Sequence, residues 1–305
     1  MNSIPFIIGQ TASGKKALSH YAALQTGCSI VSVDSMKIYR YMDIGTAKPS
    51  ADMRNEVQYH MIDIADPSVD KDLKWFLEQI EILLEDDSGS QYIFSGGSSM
   101  YIQGIVSGIF EGPAKDSEFR QILKQKAADK GTEALHAELK DADPEAASRI
   151  HPNDLKRIIR ALEIHRTTGK SLASLQTQFG ALRGDMGFTL IGIRYERSRL
   201  YKRINTRVNR MFEQGFVEEV RSLYEQDRFG PTSSQAIGYR ELIDAFKQNG
   251  NPDLDEVKEQ IKKNTRVFAR KQMTWFKKFK DVYWIDAEEG QTVEEIYKEI
   301  KPLLI

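Results

Sequence analysis

The feature that most constrains this chain lies near its start: IPFIIGQTASGKKALSHYAALQTG, residues 4–27. An apolar run, IPFII, leads into a glycine loop, and the loop opens a helical pattern closed by Gly27. Gly9, four residues, then Gly14 and Lys15 fit G-x-x-x-x-G-K. In such a loop, backbone N–H groups and a helix N-terminus cradle an anion, and the lysine adds a point charge. Without its context the same string would be an ordinary glycine turn; the strand before it and the helix after it favour the phosphate reading. The pattern fails at its last position, where a Ser or Thr hydroxyl would hold Mg²⁺ and this chain has Lys16.

Beyond the loop, short apolar runs alternate with helical patterns. CSIVSVD (28–34), YIFSGGSS (92–99), FTLIGIRY (188–195) and VYWID (282–286) read as strands, with HMIDIAD (60–66) a weaker one. Strands alternating with helices argue for a mostly parallel α/β sheet whose ligands gather at the strands' carboxyl ends. From Pro113 to about Gly187 the pattern is helical and charged, with no convincing strand, and it is expected to be an insertion. Residues 1–112 and 188–305 then form the core, and 113–187 the inserted unit. Neither an internal repeat nor a low-complexity segment is apparent.

At 305 residues, 40% apolar and 29% charged, the chain has the composition of a soluble globular protein. A single cysteine, Cys28, excludes an internal disulfide framework and fits a reducing compartment. No run approaches the roughly 20 apolar residues that span a bilayer, and no basic stretch precedes an apolar one at the start. A cytoplasmic location without membrane attachment is expected. The formal net charge of −1 conceals uneven patterning. Basic residues gather in LKRIIRALEIHR (155–166), RYERSRLYKRINTRVNR (194–210) and KKNTRVFARKQMTWFKKFK (262–280). One such run is readily a solvated helix face; three beside a phosphate loop favour nucleic acid.

Two further segments carry chemistry. Asp34, in SVDSMKIYRYMDIGTAKP, ends a strand near the loop. A carboxylate there can serve as general base or bind Mg²⁺, and it can equally cap the segment that follows. SGGSSMYI (95–102) offers glycines for close backbone approach, then hydroxyls.

Together these strings resemble the tRNA dimethylallyltransferases, or tRNA isopentenyltransferases. The resemblance runs from end to end: GQTASGKKAL against the family's GPTASGKT, SVDSMKIYRYMDIGTAKP, YHMIDI, GGSSMYI for GGTxLY, RIHPNDLKRIIRALEI, AIGYRE and ARKQMTWFKK. It implies a P-loop NTPase-like sheet flanked by helices, with the helical insertion contacting tRNA. It also implies transfer of a dimethylallyl group from its diphosphate to N6 of the adenosine beside the anticodon, with Mg²⁺ as cofactor. The partners implied are the tRNA anticodon stem-loop and dimethylallyl diphosphate, and a monomer is expected.

Site residues carry over in the same sense. Gly9, Gln10, Thr11, Ala12, Ser13, Gly14, Lys15 and Lys16 would form the diphosphate loop. Asp34 would accept a proton from the adenine amino group, Ser98 takes the place of a catalytic threonine, and Arg207, with Arg203, would clamp diphosphate. Asp34, Ser35, Met36 and Lys37 would meet an adenosine taken out of its stack. Arg120, then Lys156, Arg157, Ile158, Ile159 and Arg160, would meet the stem-loop, as would Gln235, Ala236, Ile237, Gly238, Tyr239 and Arg240. Tyr39, Tyr239 and Trp275 are available for base stacking, although each alone is a common core residue.

Where the chain departs from the family, Gln10 replaces proline, Ser98 replaces threonine and Tyr59 replaces the first of two histidines. Lys16 weighs most. Either Mg²⁺ is held by diphosphate oxygens, water and hydroxyls such as Thr11, or the Lys16 ammonium partly replaces it; a weakened RNA-binding paralogue is the third reading. An adenylate isopentenyltransferase would share the loop but not the basic strings, and a small-molecule kinase would consume ATP.

Overall fold

The structure, a computed structural model, describes residues 3–86, 91–108, 112–113, 115–175, 187–248 and 252–304. Its contacts separate into two units, Met1–Val106 with Leu182–Ile305, and Ser107–Ala181.

The first unit is built on β1 (Ile4–Gly9), β2 (Ser29–Val33), β3 (Tyr59–His60), β4 (Tyr92–Gly96), β5 (Phe188–Arg194) and β6 (Tyr283–Asp286). They form one sheet in the order β3-β2-β4-β1-β5-β6, with every pairing parallel. Alternate residues face opposite sides, and both sides are covered, so the strands read as continuous apolar runs. Ile7, Ile30, Ile93, Ile191 and Ile285 pack with Leu18, Ala22 and Ala23 of the Lys15–Thr26 helix and with Ile296 and Ile300 of the Val293–Ile300 helix. In neighbouring registers Phe6, Phe94 and Phe188 form a ring cluster with centroids 5.5–6.0 Å apart. Crossing connections set β1, β2 and β4 side by side, so their carboxyl ends deliver the glycine loop, Asp34 and Ser98 to one place.

Of HMIDIAD only His60 lies in a strand, β3, followed by bends and a single bridge between Tyr39 and Ala65. Met61 and Asp63 take left-handed backbone angles, φ 62° and 59°, which end the extended run. Asp63 is used as an anchor instead. The buried Lys48 ammonium donates to the Tyr39 carbonyl (2.6 Å), Asp43 Oδ1 (2.6 Å) and Asp63 Oδ1 (2.5 Å), and Arg54 meets Asp63 Oδ2 at 2.6 Å. The backbone N–H groups of Asp43 and Ile44 donate to Glu219 Oε2 at 2.9 and 2.7 Å. A Cβ on Gly45 would fall 2.3 Å from the Tyr239 ring, so only glycine fits there. Most of the MDIGTAKP string is therefore explained by the folding of its own loop.

The second unit packs the helices Ser117–Lys130, Thr132–Ala142, Pro144–Arg149 and Leu155–Thr168 around Leu123, Leu135, Leu139, Ile158, Ile159 and Leu162. In HPND, Asp154 caps the Leu155–Thr168 helix by accepting the Arg157 N–H at 3.2 Å. Glu163 is 1% exposed and holds three donors: Arg120 (Nε and Nη2, each 2.7 Å), Arg160 and the Asp116 N–H (2.8 Å). Desolvation opposes its charge, but these donors outweigh it and bring the carboxyl down to about 2.

Candidate active site

Gly9 ends β1, and the chain turns through residues 10–14 into the Lys15–Thr26 helix. A Cβ on Gly9 would sit 2.5 Å from Ser13 Oγ, so glycine is what lets the turn fold back over Ser13. Ala12 and Gly14 are left-handed, φ 62° and 86°, and backbone of alternating hand turns N–H groups toward one concavity. The Thr11 and Ser13 N–H groups are taken, by Gln272 Oε1 (2.9 Å) and the Gln10 carbonyl (3.1 Å). No side chain caps the helix at Gly14, so its first turn presents the unpaired N–H groups and positive dipole end that suit an anion.

A cavity of about 910 Å³ opens above this turn, lined by Thr11–Ala17, Asp34–Lys37 and Gly96–Ser98 among others. Lys15, Lys16, Lys37, Arg203 and Arg207 bring cations to its wall. Arg207 Nη1 donates to Thr11 Oγ1 at 2.7 Å, and Arg203 Nε to the Ala12 carbonyl at 2.8 Å, so both arginines hold the loop itself. Asp34 Oδ1 accepts the N–H groups of Met36 (2.9 Å) and Lys37 (3.3 Å), while Ser98 Oγ accepts the Ser35 N–H at 3.0 Å. The capping role expected as an alternative for Asp34 is thus real, and it occupies one carboxylate oxygen.

Desolvation, then the Lys37 ammonium, brings Lys15 down to about 7, with Asp34 opposing and Arg207 adding. Desolvation, then Lys37 and Arg207, brings Lys16 down to about 8. Lys37 and Arg207 are lowered too, each chiefly by desolvation. Like charges crowded around the Asp34 carboxylate are poised for a polyanion, and the sign of the linkage follows. An anion raises the lysine pKa values, so binding takes up protons between about pH 7 and 10, and affinity falls as pH rises through that window. Titration calorimetry of inorganic pyrophosphate in buffers of different ionisation enthalpy is expected to show that uptake at pH 8. The empty protein, with Lys15 below its unfolded value, should gain stability over the same rise.

Several of the residues named from sequence serve the fold. Tyr39 and Tyr239 are fully buried, and Tyr239 Oη donates to Glu219 at 2.5 Å, so neither is a platform for a base. Ile158 and Ile159 belong to the core of the second unit, and Arg120 and Arg160 are engaged by Glu163. Ile158, Ile159 and Arg160 follow Lys156 and Arg157 directly in sequence, but helical spacing turns the isoleucines inward, and Arg120 belongs to the separate Ser117–Lys130 helix. Within 235–240, Ala236, Gly238 and Tyr239 are buried, leaving Gln235 exposed and Ile237 and Arg240 partly so. Trp275 is half-buried, with the Lys278 ammonium 4.8 Å from its ring centroid.

Gln272 was not anticipated. Its Oε1 accepts the Thr11 N–H and its Nε2 donates to the Gly97 carbonyl at 2.7 Å, tying the loop after β1 to the turn after β4. A Cβ on Gly97 would lie 2.9 Å from Gln272 Nε2 and 3.2 Å from Lys15 Nζ, so the three elements can converge only at a glycine. Glu219 was missed as well, because the backbone N–H groups it holds lie more than 170 residues away and Tyr239, its side-chain partner, is at no helical spacing from it.

The family model described as IPP transferase matches residues 37–279. The chain belongs to this family. It is 42% identical to a tRNA dimethylallyltransferase of Geobacillus thermodenitrificans over 97% of this chain and 96% of that one. It is 41% identical to one of Thermotoga petrophila over 99% and 98%. The solved full-length tRNA isopentenylpyrophosphate transferase of Bacillus halodurans has 34% identity and a TM-score of 0.70, covering 100% of this chain and 97% of its own. A eukaryotic dimethylallyltransferase acting on tRNA, at 24% identity, shares the fold with a TM-score of 0.79, covering 99% and 80%. The P-loop-like α/β sheet read from the sequence is the fold of this family.

The family's loop also sets the test for a metal. Thr11 was the hydroxyl left for Mg²⁺, but its Oγ accepts from the Arg207 guanidinium. Ser13 Oγ is buried beneath Gly9. The Lys16 ammonium turns to the carbonyls of Ala47 (3.5 Å) and Lys48 (3.2 Å). Among the described residues no three His, Cys, Asp or Glu side chains are grouped to hold a metal. The donor set does not fit a protein-held divalent ion. Gln10, in place of proline, donates from Nε2 to the Ala269 carbonyl at 2.8 Å, and Tyr59, in place of histidine, bonds His20 Nδ1 at 3.0 Å. Both departures are absorbed by new contacts.

Proposed function

We propose that this chain transfers a dimethylallyl group from dimethylallyl diphosphate to N6 of the adenosine adjacent to the anticodon of tRNA, releasing diphosphate. The observation that carries this reading is the meeting of Asp34 and Ser98 with the cation-lined phosphate loop in one cavity. As the C–O bond to diphosphate breaks, charge grows on the leaving oxygens, and Lys15, Arg207 and the N–H groups of the helix N-terminus are arranged to stabilise it. The allylic carbon bonds to N6, and the N6 proton passes to Asp34, whose Oδ2 is left for it. Ser98 donates to a diphosphate oxygen. Val208, Met211, Ile237, Ile261 and Phe268 supply the apolar wall a five-carbon group needs.

Transfer of radiolabelled dimethylallyl diphosphate separates the readings. Label is expected in tRNA and in an isolated anticodon stem-loop; label in AMP would instead indicate the adenylate enzyme, and none in any acceptor a weakened paralogue. Among the described residues no helix is long and apolar enough to cross a membrane, and action on tRNA as a cytoplasmic monomer accords with the rest.

Lys156 and Arg157 are exposed cations in the first turn of their helix, with Arg166 exposed near its other end, and Arg157 is 67% exposed. Reversing Arg157 to Glu is expected to weaken tRNA binding and to flatten its log–log salt slope by roughly 0.7–0.9 per lost phosphate contact. Pyrophosphate affinity should not move. Filter binding from low to high salt checks it, and an unchanged slope would make Arg157 a solvated surface residue.

A further inference from the structure

We propose that the phosphate loop of this chain binds diphosphate without a metal ion, the Lys16 ammonium taking the place of the metal that a loop hydroxyl would hold. The inference rests on the diphosphate reading above.

In G-x-x-x-x-G-K-[ST] the last hydroxyl binds Mg²⁺, and here that position is Lys16. Its side chain lines the cavity and donates to the carbonyls of Ala47 and Lys48. An ammonium has three N–H donors, so one remains for an anion. The anchoring backbone is itself fixed, by Lys48 on Asp43, Asp63 and the Tyr39 carbonyl and by Glu219 on the N–H groups of Asp43 and Ile44. The ammonium is therefore held in position before the ligand arrives, as a bound metal would be.

The remaining oxygens are unsuited to a cation. A guanidinium already sits 2.7 Å from Thr11 Oγ1, and a divalent ion on the same oxygen would face it directly. Ser13 Oγ is enclosed, with no partner among the described residues, beneath the turn at Gly9. Among the described residues Asp34 is the one carboxylate lining the cavity, against Lys15, Lys16, Lys37, Lys202, Arg203, Arg207 and Arg210. Its Oδ1 is spent on backbone N–H groups. Such a wall repels a dication and supplies by itself the charge that a diphosphate needs. Lys16 is lowered first by desolvation and then by Lys37 and Arg207, so the three cationic groups act on one another across the cavity.

Titration calorimetry of inorganic pyrophosphate, in excess EDTA and again in MgCl₂, tests this on the wild type, Lys16→Thr and Lys16→Arg. The wild type and Lys16→Arg are expected to bind as well in EDTA as in MgCl₂. Lys16→Thr should bind about tenfold or more weakly in EDTA, the loss of one charge-assisted contact, and recover with Mg²⁺, which also reports that it is folded. Wild-type binding that appears only with Mg²⁺ overturns the inference and leaves the diphosphate reading intact. A threonine variant that matches wild type in both conditions overturns the role of Lys16. Absence of wild-type binding in both conditions overturns the inference together with the reading beneath it.

Discussion

Replacing Asp34 with asparagine lowers the rate of dimethylallyl transfer by about 10²–10⁴-fold, the usual contribution of a general base. The carboxamide oxygen can still accept the Met36 and Lys37 N–H groups, so the turn after β2 keeps its shape. What is lost is the second oxygen's capacity to take the N6 proton. Pyrophosphate should bind the variant at least as well as the wild type, because the one negative charge that lines the cavity among the described residues has been removed from a wall of cations. Single-turnover transfer and pyrophosphate titration on the same preparation check both halves. Near-normal turnover would mean that the proton leaves by another route.

Glu163→Gln should unfold the second unit more readily, by about 2–4 kcal/mol. Breaking a fully buried pair costs roughly 3–5 kcal/mol, and the lower figure allows for Arg120 and Arg160, 26% and 32% exposed, regaining some hydration. The pH dependence has a definite sign. Glu163 is brought down to about 2, so its contribution is complete above its ordinary value near 4.5 and lost as pH falls from about 5 toward 2. Thermal melts of the wild type at pH 7 and pH 4 should therefore differ more than those of the glutamine variant. Pyrophosphate binding, whose groups all lie in the first unit, should be unchanged. Equal melts for the two proteins would make the triad a surface ornament.

How much of this was legible beforehand depended on the distance over which each residue acts. IPFII, CSIVSVD and YIFSGGSS declare themselves by local pattern; the first two became strands within one residue of their expected ends, while the third ends three residues early, at Gly96, where the chain turns into the next helix. The phosphate loop was legible for the same reason, being a local sequence with a local function. Glu163 looked like any helical glutamate, because the Arg120 that holds it lies 43 residues earlier. Gln272 reaches a partner 261 residues away, and no spacing rule reports such a contact. Basic residues at 155–166 announced a charged face, but which arginines look outward was decided by packing around Ile158 and Ile159. Lys16 was conspicuous in sequence, yet the two carbonyls that receive it belong to a loop whose path required the whole fold.

The central claim is a prenyl transfer to one tRNA position carried out by the cavity that Lys15, Asp34 and Ser98 share. Mass spectrometry of tRNA nucleosides and of nuclease fragments, after incubation of the pure protein with unmodified tRNA and dimethylallyl diphosphate, tests it most directly. The account predicts one new nucleoside, adenosine carrying a dimethylallyl group on N6, in the fragment containing the anticodon and at the position beside it, with diphosphate released in equal amount. Unmodified tRNA after prolonged incubation, or a prenyl group recovered elsewhere in the molecule, would contradict it.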